Sequence, residues 1–170
     1  MKKILFLLII VLFPFYFQGQ NYQSYKKPIK QKIYSESLKD SVSIELIIPK
    51  NISKNSVNKY PVIYLLDRQL KINYTYNLQT IDYLTSMQNM PESIIVGITF
   101  NQKNRNSWTN PNKTKGKADD LISFIAKELQ EQLKKEYAIS KFNLLVGHSR
   151  TAIFSAYALS KRFDFCNGAI

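Results

Sequence analysis

The stretch Asn143-Leu144-Leu145-Val146-Gly147-His148-Ser149-Arg150-Thr151-Ala152 decides how this chain is read. Its aliphatic residues run together without alternation, as in a strand buried on both faces, and the run stops at Gly147. From Ala152 to Ser160 the chain is apolar almost all round, with Ile153, Phe154, Ala156, Tyr157, Ala158 and Leu159, which fits an interior helix. Ser149 therefore stands on a tight turn between strand and helix. Such a turn presents a hydroxyl at the carboxyl ends of parallel strands, the geometry of a nucleophile elbow. Strand and helix pack closely there, so small residues are needed two before and two after the serine. Gly147 meets that need. Thr151 departs from the G-x-S-x-G pattern, and its β-branched side chain is expected to push strand and helix apart.

Two more runs of the same kind lie upstream. Val62-Ile63-Tyr64-Leu65-Leu66 ends at Asp67, and Ile94-Ile95-Val96-Gly97-Ile98 follows. Helical segments are expected between the runs, over 75–89 (Leu78, Ile81, Tyr83, Leu84) and over 118–137. In the second, Leu121, Ile125, Leu129 and Leu133 fall four apart on one stripe. Asp119 and Asp120 stand in its first turn and Lys134 and Lys135 in its last, matching the helix dipole. Glu131 and Lys135 have the spacing of a weak surface pair. Nearer the N-terminus, Ile29–Tyr34 and Val42–Ile48 flank Lys39-Asp40-Ser41 and read as a half-buried antiparallel hairpin. Residues 21–28 read as a loose lead-in, and Pro49–Lys59 as a surface loop. The order implies an α/β fold with a mostly parallel sheet, right-handed crossovers and an antiparallel N-terminal hairpin.

Residues 1–20 have a different character. Lys2 and Lys3 precede an uncharged apolar run, Ile4–Phe17, and Gly19 follows. This is the pattern of a secretory signal peptide. The run is shorter than a membrane span requires and Pro14 interrupts it, so no stable span is expected after processing, and the location is periplasmic or secreted. Removing the segment takes away two lysines and no acid, and lowers the net charge from +12 to +10. The remaining lysines are spread along the chain and do not form one basic stripe with aromatics. That arrangement, with export, argues against a nucleic-acid partner. One cysteine (Cys166) and one histidine (His148) exclude an intramolecular disulfide framework and a zinc finger or ribbon, and no metal or other cofactor is expected.

If Ser149 is a nucleophile, the backbone N–H of Arg150 at the helix start supplies half of an oxyanion hole. The other half comes from the loop after the first parallel strand, at Arg68 or Gln69. His148 is excluded as the base. Neighbours in an elbow point to different sides, whereas a triad base must face the hydroxyl. His148 is expected to be a packed or hydrogen-bonded structural residue.

Four blocks together resemble an esterase family of the α/β-hydrolase superfamily, the group that includes enterochelin (siderophore) esterase-like and esterase D-like proteins. Tyr60-Pro61-Val62-Ile63-Tyr64-Leu65-Leu66-Asp67 is similar to its Y-P-V-L-Y-L-L-D-G strand, with Arg68 where Gly is usual. Ile94–Ile98 with Arg105 and Thr109 is similar to its V-V-G-I…R…T-P segment. Gly116–Leu129 resembles its G-G-A-D helix, and Gly147-His148-Ser149-Arg150-Thr151 its G-H-S-x-G elbow. The resemblance implies an α/β-hydrolase fold and hydrolysis of a small-molecule carboxylic ester through an acyl-enzyme on Ser149. It also implies that the acid and histidine of the triad follow the nucleophile, beyond residue 170. Residues 29–170 are then expected to be the N-terminal part of the domain, cut after the elbow helix where Cys166–Ile170 begins another core strand. The competing expectation is a non-catalytic remnant that kept the fold as a binding module.

Overall fold

Parallel strands cannot be joined by tight turns, and in this chain the long crossovers are helical. The computed structural model describes residues 22–53, 57–162 and 164–170. The expected signal segment, 1–20, lies outside the described residues. The hairpin is β1 (Ile29–Ser35) and β2 (Asp40–Ile47). The parallel run is β3 (Tyr60–Leu65), α1 (Lys71–Ser86), β4 (Ile94–Thr99), α2 (Gln102–Trp108), a long broken helix, and β5 (Ile139–Val146). Helix α5 (Arg150–Lys161) and the short β6 (Gly168–Ala169) complete it. The sheet order is β1-β2-β4-β3-β5-β6. β2 meets both β1 and β4 antiparallel, and the pairs β3–β4, β3–β5 and β5–β6 are parallel.

The unbroken apolar runs have the expected cause. Val62, Tyr64, Val96, Ile98 and Leu145 face the broken helix and α5, in one core with Leu121, Phe124, Phe154 and Ala158. Ile63, Leu65 and Ile95 point the other way and pack on Tyr74, Leu78 and Ile81 of α1. A strand covered on both faces has no place for polar alternation.

Expected boundaries shift in informative ways. α1 begins at Lys71 and ends at Ser86, earlier than expected, and α2 was not foreseen; its one buried side chain is Trp108, edge-on to Phe100 at 6.2 Å. The stripe of leucines and isoleucines drives a break in the long helix. Side chains four apart drift about 40° per step around an α-helix. A π-helical turn, Phe124–Leu129, stands between α3 (Ala118–Ser123) and α4 (Gln130–Glu136), and its wider turn offsets the drift. Leu121, Ile125, Leu129 and Leu133 are all buried as a result. The surface pair forms at i,i+3, with Lys134 and not Lys135 meeting Glu131 at 2.6 Å.

The lead-in corrects its expectation and is held. Tyr25 is buried, Lys26 N–H bonds Ile48 C=O at 2.9 Å, and Gln23 and Ser24 N–H bond the Asp82 carboxylate at 2.9 and 2.8 Å. Helix α5 is less uniformly buried than expected, since Ile153 lies on its outer face. The terminal strand is shorter than Cys166–Ile170, with Gly168 and Ala169 paired to Leu144 and Leu145.

Two local devices make quantitative expectations. Glu128, in the π turn, accepts from Ser37 N–H at 2.9 Å, Glu36 N–H at 3.1 Å and Ser35 Oγ at 3.3 Å, tying the helix to the hairpin turn. Partial burial opposes its charge, but these donors outweigh it and hold the carboxyl below the ordinary glutamate range. A lowered folded pKa adds stability above the unfolded value, and that stability is lost as pH falls through the folded one. Glu128→Gln should therefore cost about 1 kcal/mol at pH 7 by urea denaturation, and the gap from wild type should narrow as pH falls below the ordinary glutamate range. A gap that does not change with pH would contradict the assignment. At the β5–α5 junction, a Cβ on Gly147 would meet the Thr151 carbonyl oxygen at 2.5 Å and Ala152 N at 2.6 Å. Because both contacts are backbone, Gly147→Ala should destabilise the fold by about 1–3 kcal/mol, read as a lower urea midpoint at unchanged slope.

Candidate active site

β3 and β5 are neighbours, so the residues that follow them are brought together. Both strands end in strained backbone. Among the described residues four non-glycines have positive φ, and two of these are Asp67 (62°) and Ser149. Ser149 has φ 57° and ψ −114°, and it is the N-cap of α5 without a side-chain cap bond. Backbone of this kind costs on the order of 1–3 kcal/mol and persists where its surroundings over-determine it. Here they do. Gly147 lets the first turn of α5 approach the end of β5, and Ser149 C=O accepts from Ala152 and Ile153 N–H at 3.1 and 3.2 Å. The Ser149 side chain is exposed and makes no hydrogen bond among the described residues.

Ser149 opens into a cleft of ≈ 480 Å³ that it shares with Arg150, Ile153, Arg105 and Asn106. The exposure of Ile153 is explained by this lining. The Arg150 N–H, at the first helical position, has no intrahelical acceptor and is unbonded among the described residues. A larger cavity of ≈ 730 Å³ lies beside Thr85, Met90 and Glu92 and shares no lining residue with this cleft.

The loop after β3 separates its two candidates. Arg68 N–H is committed to Ile98 C=O at 3.0 Å, which removes it as an oxyanion donor. Its guanidinium meets the buried Glu45 carboxylate and lies 5.7 Å from the centre of the Tyr74 ring. Tyr74 Oη donates to the other Glu45 oxygen at 3.0 Å, and burial, then the Glu45 charge, push the phenol well above its usual range. Gln69 N–H makes no hydrogen bond among the described residues. Arg68 and Gln69 both line a separate cavity of ≈ 260 Å³ beside Glu45 and Tyr74, not the cleft at Ser149.

The expectation for His148 is corrected. Its side chain is exposed, and its imidazole neither packs nor forms a hydrogen bond among the described residues. Its backbone does the structural work, with N–H donating to Thr151 Oγ1 at 2.8 Å and C=O accepting from Arg105 Nη2 at 3.2 Å. Thr151 is also corrected. Its side chain is fully buried and turned toward Asp67, so it does not wedge strand from helix; the close approach is between Gly147 and the Thr151 backbone.

Sequence reasoning missed the group that organises the site. Asp67, 2% exposed, accepts Arg105 Nε and Nη2 at 2.7 Å each, Gln69 Nε2 at 2.8 Å and Thr151 Oγ1 at 2.8 Å. A buried strand run ending in an acid was the available signal, because an ionised carboxylate there must find partners. Among the described residues no group of His, Cys, Asp and Glu could hold a metal ion.

The same arrangement of strands and helices occurs in known serine hydrolases and esterases. The chain superposes on an IroE-like serine hydrolase from Shewanella oneidensis with TM-score 0.67 and 24% identity, covering 82% of this chain and 48% of that one. For the BES protein from Bacillus cereus the values are 0.66 and 24%, over 86% and 59%. For the enterochelin esterase from Shigella flexneri they are 0.66 and 19%, over 82% and 34%. At these identities the likeness shows the fold, that of an α/β-hydrolase, and the chain spans between about a third and three-fifths of those structures. No curated protein is a significant match. Residues 35–165, most of the chain, match the Putative esterase family, and the chain belongs to it.

Proposed function

We propose that Ser149 is the nucleophile of an exported serine hydrolase that cleaves a small-molecule carboxylic ester. One observation carries this reading: an unbonded serine hydroxyl on positive-φ backbone, at the head of a helix and open to a cleft. In the reaction, Ser149 Oγ adds to the ester carbonyl carbon and gives up its proton to a base. The carbonyl oxygen becomes an oxyanion, and the unbonded N–H groups of Arg150 and Gln69 are the donors assigned to it. Collapse expels the alcohol and leaves an acyl-serine; water then releases the acid and restores the hydroxyl. Removing one such donor typically costs several kcal/mol of transition-state stabilisation.

The base is not His148, the one histidine in the sequence, because it adjoins Ser149 and neighbours in such a turn point to different sides, whereas a base must face the hydroxyl. The reading therefore assigns the triad acid and base to residues following Ile170 in a longer protein, in keeping with the share of each structural relative that this chain spans. A short-chain aryl ester tests this. The 170-residue chain should hydrolyse it no faster than its Ser149→Ala variant. A form extended along a reading frame continuing past Ile170 should turn it over, and Ser149→Ala there should lower kcat by at least about a thousandfold. Brisk Ser149-dependent hydrolysis by the 170-residue chain would overturn the assignment of the base. An extended form indifferent to Ser149→Ala would favour the non-catalytic binding module.

Export rests on Lys2-Lys3 and the apolar run Ile4–Phe17. Among the described residues no helix is long and apolar enough to cross a membrane. Expression in a bacterial host should give periplasmic or secreted protein whose N-terminus, by Edman sequencing, begins near Asn21; recovery of intact Met1 protein from the cytoplasm would contradict it.

A further inference from the structure

We infer that Thr151 is a positioning residue for Ser149: its hydroxyl locks the nucleophile turn to the loop after β3 through the buried Asp67 carboxylate. The inference deepens the reading of Ser149 as nucleophile and rests on it. Thr151 stands where the G-x-S-x-G pattern has glycine, which has no side chain to make this link.

The hydrogen-bond inventory is restrictive. A threonine hydroxyl has one proton and two lone pairs. Two acceptors are in reach, Asp67 Oδ2 at 2.8 Å and His148 C=O at 3.0 Å. The carboxylate is nearer and the bond to it is charge-assisted, so the proton goes to Asp67. A lone pair then accepts His148 N–H at 2.8 Å. His148 C=O then accepts from Arg105 Nη2 and from Thr151 N–H at 3.2 Å each, and the same arginine nitrogen holds Asp67 Oδ2 at 2.7 Å. Both backbone polar groups of His148 are thus tied to side chains that themselves rest on Asp67. They belong to the two peptide groups that lead into Ser149, so holding them helps hold its φ of 57°.

The other Asp67 oxygen extends the link. Oδ1 accepts from Gln69 Nε2 at 2.8 Å, and Gln69 Oε1 accepts from Phe100 N–H at 3.0 Å. The loop that carries the Gln69 N–H and the turn that carries Ser149 therefore share one carboxylate. A group that sets the distance between nucleophile and oxyanion donors acts on the chemical step, where a misplacement of about 1 Å can cost 10²-fold.

The test compares Thr151→Val, near in shape but without the hydroxyl, with Thr151→Ser, which keeps it. Backbone amide exchange followed by NMR on the 170-residue chain reads the link without any esterase activity. The His148 amide should exchange at least tenfold faster in Thr151→Val and return to the wild-type rate in Thr151→Ser, while Val96 in β4 stays protected and reports an intact fold. If the valine variant does not fold, Thr151→Gly serves in its place with the same expectation. In a form that shows Ser149-dependent turnover, the valine variant should lose about 10- to 100-fold in kcat with KM unchanged, and serine should restore it. Wild-type protection of His148 without the hydroxyl, or a change in KM alone, would overturn the inference. Where no form shows Ser149-dependent turnover, the nucleophile reading fails, and amide exchange still decides whether Thr151 holds the turn.

Discussion

A buried carboxylate cannot be left alone. Moving an ionised Asp out of water costs several kcal/mol, and the loss is offset only by donors of good geometry on both oxygens. Asp67 has them, and they come from near and far along the chain: Gln69 two residues on, Arg105 after β4, and Thr151 after β5. Satisfying this one group therefore fixes how the ends of three parallel strands stand relative to one another. Arg105 suits the task because its planar fork engages both oxygens at once, and Thr109 Oγ1 in turn holds the Arg105 carbonyl at 2.6 Å. Removing one member of such a pair typically costs about 3–5 kcal/mol, because the other charge stays buried without its partner.

The strain at Ser149 depends on that frame. Its backbone is held from the strand side by β5, from the helix side by the close approach at Gly147, and from the front by Thr151 and Arg105 on His148. The central strands beneath are covered by helices on both faces. β5 is also tied in its middle, where the buried Asn143 donates its side-chain Nδ2 to Phe165 C=O at 2.9 Å and its N–H to Asn167 Oδ1 at 2.9 Å, and its C=O accepts from Asn167 N–H at 2.9 Å. The hydroxyl that would react is exposed on a turn whose backbone is held at Gly147 and His148.

Two departures from the family pattern share a logic. Arg68 stands where glycine is usual, and Thr151 does the same in the turn after β5. Each side chain turns to a buried acid, Arg68 to Glu45 and Thr151 to Asp67. Gly97 lets a second donor reach the first of these acids. A Cβ there would come within 2.7 Å of the Tyr74 ring, and without it Tyr74 reaches across β4 to Glu45. Each larger residue thus carries a hydrogen bond that glycine could not supply.

Periodicity and punctuation in the sequence determined much of this protein. Three unalternating apolar runs specify strands covered on both faces, and the order hairpin, then strand and helix in turn, specifies a mostly parallel sheet. Gly147 and Ser149 between a strand and an apolar helix specify the tight turn on which Ser149 stands. These are local properties, and a chain carries them whatever it packs against. The tertiary structure alone decided which groups meet. Arg105 and Thr151 lie 38 and 84 residues beyond Asp67, and the three say nothing to one another in one dimension. That Arg68 N–H is spent on Ile98 while Gln69 N–H is not, and that His148 holds the turn by its backbone with its ring in solvent, follows from strand order and side-chain direction. The π turn lies between these cases. Its cause, apolar residues spaced at four, is written in the sequence, but the helix had to pack against the sheet before that spacing acquired a cost.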